Sequence, residues 1–270
     1  MDHDIESTVT GFVQARLAGR ALDAFPGTLP RDLLTAYRCQ SAALKRWPDE
    51  VAGWKVARIP PQWSAQYNEP RLIGPVFRRN VHRPSPGAVV ECPVFAGGFS
   101  AVEAEIGIIV KADAAAGRTD WSVSSAIELV GAMCIGVEVA SSPLATLNDL
   151  GSGAVVADFG NNWGVIIGAE IGDWQSHAAD IQVATWIDEK LVGRGSVALQ
   201  ATLEALAFAA NKAASLGRPL RAGAYISTGM ITGVHDILVG QSARIAFEGC
   251  GELRCCMIAA GPLAAMRQPA

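Results

Sequence analysis

Hydrophobic residues recur at helical spacing in the first fifty positions of the chain. Two amphipathic segments, residues 5–21 and 31–46, are separated by the turn-rich stretch FPGTLP, and Pro30 precedes the second segment. Because proline does not continue a helix from upstream, we expect two separate helices here. The pattern therefore predicts an N-terminal helical region over residues 1–50.

From residue 51 the pattern changes to short runs rich in Val, Ile and Gly, which are interrupted by Gly or Pro. Such runs are typical of a sheet. Residues 179–196 and 243–258 each have the pattern of a hairpin, with turns at DEK and at GCG. We therefore predict a sheet-dominated body over residues 51–260.

Two further helices are predicted within this body. Residues 120–131 fit a short helix, and residues 198–220 fit a longer one that ends at Gly217 and Pro219. The whole pattern predicts one α+β domain over residues 1–270. Its helices would pack on a mixed sheet that curls into a β-roll or barrel.

Two glutamates interrupt one of the apolar strand-like runs, AVEAEIGIIV at residues 101–110. Because successive side chains of a strand alternate between its two faces, Glu103 and Glu105 lie on one face together with Gly107. The simplest interpretation is that this face meets solvent, since polar and apolar faces commonly alternate in an antiparallel sheet.

Lone charges in other apolar runs argue against that interpretation. CIGVEVASS carries Glu138, GWKVARIP carries Lys55, and GAVVADFGNN carries Asp158. Two carboxylates that are buried side by side destabilise the fold unless a cation compensates their charge. Three glutamate carboxylates suit a hard cation, so Glu103, Glu105 and Glu138 are candidate ligands of Mg²⁺ or Mn²⁺.

Composition excludes several classes of function. The net charge is -4 with a pI of about 5.6, and the basic residues are scattered, so we expect neither a nucleic acid nor a membrane as partner. No run of 18 apolar residues and no signal-peptide pattern occurs, so we expect a cytoplasmic protein. The six cysteines lack a CxxC pair and are expected to be reduced thiols, and the four separated histidines disfavour zinc.

Five segments together carry a resemblance to a known family. They are GWKVARIP, VEAEIGIIV, AIELVGAMCIGVEVASS, VVADFGNNWGVIIG, and the C-terminal stretch from LRAGAYISTGMITG to IAFEGCGELRC. In their order and spacing, the chain resembles the hydratase/decarboxylase branch of the fumarylacetoacetate hydrolase superfamily from about residue 5 to residue 258. The resemblance implies a mixed β-roll, in which Glu103, Glu105 and Glu138 bind the metal and Lys55 is the catalytic acid/base.

The resemblance also implies residues that contact the substrate. Ser227, Thr228 and Gly229 would contact the substrate carboxylate or a neighbouring oxygen. Asp158 would line the pocket or support its loop.

The chain departs from the pattern of the branch at three places. Ala140, Ser141 and Ser142 replace a DSR triplet, and Phe159 replaces an asparagine. Arg71 lies in a stretch where relatives often carry an aspartate, and a cation there would favour a dicarboxylate or displace an acid that handles protons.

The activity implied by the resemblance is that of a metal-dependent hydratase, a lyase of aromatic-compound catabolism. It would convert a 2-hydroxy-2,4-dienoate through the 2-oxo-3-enoate to a 4-hydroxy-2-oxo acid. Decarboxylation of a 2-oxo-dioate is the alternative within the branch. A carbon–carbon hydrolase is a further alternative, although no histidine lies near the glutamate pair in sequence. A non-catalytic protein, either a degenerate relative or a subunit that stabilises a decarboxylase partner, is another. The expected partners are a small 2-oxo or 2-hydroxydienoic acid, further copies of the chain, and a pathway enzyme.

Overall fold

Two helices open the chain, as the pattern predicts. The structure is a computed structural model that describes residues 3–177 and 179–263. Helix α1 spans His3–Ala18 and helix α2 spans Leu33–Leu44. The side chain of Asp32 caps α2, because its Oδ1 accepts a hydrogen bond from the backbone N–H of Thr35 at 2.7 Å.

The strands of the described residues form two sheets. Their bounds are β1 Val51–Arg58, β2 Arg71–Phe77, β3 Val81–His82, β4 Val89–Val94, β5 Phe99–Val110, β6 Val130–Ser142, β7 Asn162–Glu170, β8 Ile181–Ile187, β9 Lys190–Val197, β10 Tyr225–Ser227, β11 His235–Asp236, β12 Ser242–Phe247 and β13 Gly251–Ala259. The remaining helices are α3 Val123–Ala126, α4 Ser152–Ala157 and α5 Thr202–Ser215.

The first sheet has the strand order β2-β1-β10-β5-β6-β7-β3, and β11 also pairs with β5. It is mixed, because β1 is parallel to β10 and β3 is parallel to β7, and it curls into a half-barrel. The second sheet has the order β4-β13-β12-β8-β9 and contains both predicted hairpins. The predicted α+β fold with a curled, barrel-like mixed sheet is therefore confirmed.

The long strands β5 and β6 form the centre of the first sheet, and both of their faces are buried. The face that carries Glu103 and Glu105 is called the carboxylate face below. On the opposite face, Val102, Ile106 and Ile108 join a core that also contains side chains of α5 and of the second sheet. This double burial explains why the runs are almost continuously apolar.

Two predicted elements differ in the structure. The run GAVVADFGNN is not a strand, because residues Ser152–Ala157 form the buried helix α4 and Asp158 follows its end. A short apolar run of small residues fits a buried helix as well as a strand. The segment NVHRPSPG around His82 has the pattern of a loop, but His82 lies in the short strand β3. No helix among the described residues is long and apolar enough to cross a membrane.

Candidate metal centre and active site

Three glutamates converge on the carboxylate face of the first sheet. Glu103 on β5 and Glu138 on β6 are directly opposite each other in the ladder, and Glu105 follows two residues along β5. Each glutamate contributes an oxygen to a cluster in which these atoms lie within 4.8 Å of one another, and all three side chains are buried. The interpretation that this face meets solvent is therefore wrong for these residues.

Lys55 of β1 reaches the same cluster. Its Nζ lies 2.7 Å from Glu138 Oε1 and donates a hydrogen bond to Asn161 Oδ1 at 2.9 Å. Burial opposes the positive charge, but the combined attraction of Glu138, Glu103 and Glu105 raises the pKa of Lys55 above its ordinary value. The geometry therefore favours a charged ammonium.

The carboxylates carry more negative charge than Lys55 compensates. Burial raises the pKa of Glu103 to about 7, although the attraction of Lys55 opposes this rise. Burial, followed by repulsion from Glu138 and Glu103, raises the pKa of Glu105 well above its ordinary value, while a hydrogen bond from Ser227 Oγ acts in the opposite direction. A divalent cation would remove this repulsion.

The donor set fits a hard cation. Glu138 Oε1 is close to Lys55 and accepts a hydrogen bond from Asn162 Nδ2 at 2.9 Å, whereas Glu138 Oε2 is buried without a hydrogen-bond partner among the described residues. An orphaned carboxylate oxygen in a cluster of carboxylates is suited to Mg²⁺ or Mn²⁺, which prefer oxygen ligands. Glu103, Glu105 and Glu138 are the residues that would hold the ion.

A cavity of about 500 Å³ opens onto the cluster. Lys55 and Glu103 line it, and so do three residues predicted to contact substrate, Arg71, Thr228 and Gly229. Polar groups that converge at one end of a cavity with apolar walls are typical of a small-molecule site. The cavity therefore brings together the candidate acid/base and part of the candidate metal centre.

Ser227 is placed differently from the expectation that it contacts substrate, whereas Asp158 was expected either to line the pocket or to support its loop. Ser227 is fully buried, and its Oγ donates a hydrogen bond to Glu105 Oε2, so it supports a candidate metal ligand. Asp158 is also fully buried and forms an ion pair with Arg16 of α1, whose Nε and Nη2 lie 2.5 Å and 2.9 Å from its two carboxylate oxygens. Neither residue lines the cavity, so the expected substrate contact of Ser227 is not found and Asp158 has the position of a supporting residue.

Two of the three departures from the family pattern, at residues 140–142 and at Phe159, have structural roles. Ser141 Oγ donates to the carbonyl of Phe99 at 2.9 Å, and Ser142 Oγ accepts from the backbone N–H of Leu144 at 3.1 Å. Phe159 packs edge-on against Phe77, with 5.0 Å between the ring centroids. Among the described residues, these side chains belong to the packing around the site and not to the cavity wall.

Arg16, Asn161 and Asn162 are site residues that the sequence reasoning missed. Arg16 lies 142 positions before its partner Asp158, and no local pattern indicates such a pairing. The asparagines lie in the turn after α4, where Asn161 contacts Lys55 and Asn162 contacts Glu138. The signal that the sequence offered is the pair of adjacent asparagines between two apolar runs.

Comparison of the chain with protein-family models and with curated proteins gives no match. Solved structures do match. The chain is similar to 4-oxalocrotonate decarboxylase from Pseudomonas putida G7, solved with calcium and acetate and with magnesium and adipate, at 21% identity and a TM-score of 0.76, covering 96% of this chain and 98% of that one.

Two other matches are more distant. Fumarylpyruvate hydrolase from Pseudomonas aeruginosa, solved with Mn²⁺ and pyruvate, has 16% identity and a TM-score of 0.56, covering 77% of this chain and 89% of that one. The 2-hydroxyhepta-2,4-diene-1,7-dioate isomerase from Mycobacterium marinum has 17% identity and a TM-score of 0.52, covering 78% and 76%. These enzymes are members of the fumarylacetoacetate hydrolase superfamily, and the chain has their fold, as the resemblance implies.

Proposed function

We propose that the chain is a divalent-metal-dependent enzyme that acts on 2-oxo acids, with hydration of a 2-hydroxy-2,4-dienoate as its reaction. The observation that carries the proposal is the convergence of Glu103, Glu105 and Glu138 beside Lys55, next to a cavity that Lys55 and Glu103 line. Neighbours with the same fold were solved with Mg²⁺, Ca²⁺ or Mn²⁺ and with carboxylic acids, which supports a metal and an acid substrate here.

Lys55 is the proposed acid/base. As an ammonium it donates a proton to C5 of the dienoate and takes the proton of the 2-hydroxyl group, which gives the 2-oxo-3-enoate and restores the ammonium. Water then adds across the C3–C4 double bond, with its hydroxyl on C4 and its proton on C3. When bound, the cation would stabilise the negative charge that develops on the C2 oxygen. Thr228 and Gly229 would help to orient the substrate carboxylate.

The test is turnover of 2-hydroxypenta-2,4-dienoate with Mg²⁺, followed as loss of the dienol ultraviolet band and formation of 4-hydroxy-2-oxopentanoate. Glu103→Gln is expected to abolish both calorimetric Mn²⁺ binding and turnover. Glu170→Gln is the matched control, because Glu170 is exposed at the end of β7. A wild-type protein that binds no Mn²⁺ would support the non-catalytic alternative instead.

Decarboxylation of a 2-oxo-dioate is the second candidate, and two arginines favour it. Arg58 and Arg71 are directly opposite each other on β1 and β2, and both line the cavity. Like charges opposite each other destabilise a ladder, so a bound anion between them would be stabilising. Incubation with Mg²⁺ and a 2-oxohexenedioate, with measurement of released CO₂, separates this reaction from hydration.

The carbon–carbon hydrolase is less well supported, because no histidine among the described residues lines the cavity. The structure does bring His235 beside the glutamate strand, opposite Val102 of β5. However, Val102 faces away from the carboxylates, and the His235 ring lies 3.2 Å from Thr232 Oγ1.

Assembly into a homo-oligomer or with a pathway enzyme remains a proposal that size measurement by light scattering would test.

A further inference from the structure

A turn with unusual backbone geometry lies beside the candidate metal centre. Phe159, Gly160 and Asn161 have φ values of 53°, 68° and 51°, so three successive residues are in the left-handed region. This region is unfavourable for residues with a β-carbon. Strained backbone of this kind persists only where the surrounding structure fixes it, and it is concentrated at functional sites.

Arg16 fixes the turn from the side of α1. Besides the Asp158 carboxylate, its guanidinium donates to the backbone carbonyls of Asp158 at 3.2 Å, Asn162 at 3.3 Å and Ser141 at 3.0 Å. These contacts hold both ends of the turn, and they attach the turn to the end of β6.

Packing fixes the turn from two other directions. The Phe159 ring lies 5.6 Å from the ring of Trp47 and 5.0 Å from that of Phe77. The backbone of Gly74 on β2 is so close to Phe159 and Gly160 that a β-carbon at Gly74 would overlap them. The turn is therefore held by α1, by β2 and by an aromatic cluster.

This fixed turn carries two adjacent asparagines, which bind different residues of the site. Asn161 Oδ1 accepts from Lys55 Nζ at 2.9 Å, and Asn161 Nδ2 donates to Asn148 Oδ1 at 3.2 Å. Asn162 Nδ2 donates to Glu138 Oε1 at 2.9 Å. Asn161 lines the cavity, whereas Asn162 is fully buried.

Lys55 and a divalent ion would compete for Glu138. When the charge of Glu138 is shared with a second cation, the hold of that carboxylate on Lys55 weakens, and the neutral acceptor Asn161 Oδ1 keeps the ammonium in place. We propose that the turn over residues 158–162 is a positioning device with divided roles, in which Asn161 holds Lys55 for proton transfer and Asn162 orients Glu138 for metal binding. The role of Asn161 in turnover rests on the proposed function.

The experiment compares Asn161→Ala and Asn162→Ala by Mn²⁺ calorimetry and by kcat and KM for the dienoate. Asn161→Ala is expected to lower kcat by about 100-fold, because small displacements of a catalytic group have effects of that size, while KM and the Mn²⁺ affinity stay nearly unchanged. Asn162→Ala is expected to weaken Mn²⁺ binding by roughly 10- to 100-fold, as is typical for loss of a group that orients a metal ligand. Asn211→Ala is the matched control, because Asn211 binds the backbone of Trp121 and does not line the cavity.

Rescue and a crystal structure complete the test. Asn161→Asp keeps an acceptor oxygen and a residue that tolerates the left-handed region, so it is expected to recover part of kcat. A crystal structure of Asn161→Ala should show Lys55 Nζ displaced. Equal effects of the two alanine variants on both readouts, or an unmoved Lys55, would overturn the proposal. If the wild type does not turn over the dienoate, the hydratase proposal fails, but Mn²⁺ affinity and the position of Lys55 still test the turn.

Discussion

Lys55 Nζ lies 2.7 Å from Glu138 Oε1, and the two side chains are only 3% and 1% exposed. This ion pair places the candidate proton donor directly on a candidate metal ligand. The remaining carboxylates, Glu103 and Glu105, have no cation of their own among the described residues. Lys55 and a bound divalent cation would therefore act on the same charge, so removal of the lysine should change the affinity of the site for the cation.

The first prediction concerns Lys55→Met. Turnover should be lost, but Mn²⁺ affinity should rise by about tenfold or more, because a positive charge within a few ångströms of the ion is removed. Calorimetric titration of the variant measures this change. Lys111→Met is the control, since Lys111 is exposed just beyond the end of β5. Weaker Mn²⁺ binding in Lys55→Met would contradict the idea of competition.

The second prediction is a dependence of stability on pH in the metal-free protein. The pKa of Glu103 is raised by burial from 4.5 to about 7, so the folded state binds its proton more tightly than the unfolded state does. Stability should therefore fall as the pH rises from about 4.5 to about 7, with a contribution from Glu103 on the order of 3 kcal/mol.

Urea unfolding in EDTA between about pH 5 and pH 8 measures this dependence. Added Mg²⁺ should stabilise the protein most at the upper end of the range, because it binds the ionised carboxylates. If Mg²⁺ stabilised the protein equally at both ends, protonation of the glutamates would not be linked to the metal.

The third prediction tests whether Asp158 supports the fold through its ion pair with Arg16. Arg16→Met leaves a buried carboxylate without its partner, and Asp158→Asn removes the charge that Arg16 needs. Each variant should lower the free energy of unfolding by about 3–5 kcal/mol. The double variant Arg16→Met with Asp158→Asn should be less destabilised than the sum of the two single changes. Purely additive effects in denaturant titration would argue against the ion pair.

The convergence of the three glutamates was predictable because two simple rules apply to them. The period of two in a strand places Glu103 and Glu105 on one face, and the apolar run around Glu138 indicates a neighbouring buried strand. The curled sheet was also predictable, since runs of Val and Ile alternate with turns throughout the body. These features depend on residues that are close in sequence.

The surroundings of the site depend on residues that are far apart in sequence. Arg16 reaches Asp158 only when α1 packs beside the turn that follows α4. Ser227 was expected to contact substrate, but strand pairing places it against Glu105 instead. The helix before Asp158 was not predicted, because short apolar segments lack a period that distinguishes helix from strand.

The fourth prediction concerns Gly136, next to Glu138. A β-carbon there would overlap the hydroxyl of Tyr225, which is buried on the carboxylate face, and a β-carbon at Gly107 would overlap the ring. Gly136→Ala should therefore destabilise the fold by about 1–3 kcal/mol and weaken Mn²⁺ binding, because Tyr225 is on the same short strand as Ser227. Gly172→Ala is the control, since nothing lies within 4 Å of its added carbon. Unchanged thermal stability of Gly136→Ala would show that Tyr225 moves freely.

The last prediction concerns the arginine pair at the edge of the first sheet. Arg71 is 7% exposed, and burial and the charge of Arg58 lower its pKa. Its guanidinium is 3.2 Å from Glu204, whose side chain is 60% exposed. Arg58 is exposed and forms no ion pair among the described residues. The pair therefore has positive charge available for an anion in the cavity.

The spacing of the pair from Lys55 suits a substrate with two carboxylates. Arg58 lies three residues beyond Lys55 on β1, which corresponds to about 10 Å along an extended strand. With Mg²⁺ present, 2-oxoadipate should therefore bind more tightly than 2-oxohexanoate, which has the same chain length and one carboxylate. Calorimetry should show Arg58→Gln with Arg71→Gln reducing 2-oxoadipate affinity about tenfold or more and leaving 2-oxohexanoate unchanged. The control is Arg78→Gln, because Arg78 pairs with Glu50 at the exposed end of β2. Equal binding of the two acids to the wild type would show that the arginines do not bind a second carboxylate. It would then favour the monocarboxylate substrate.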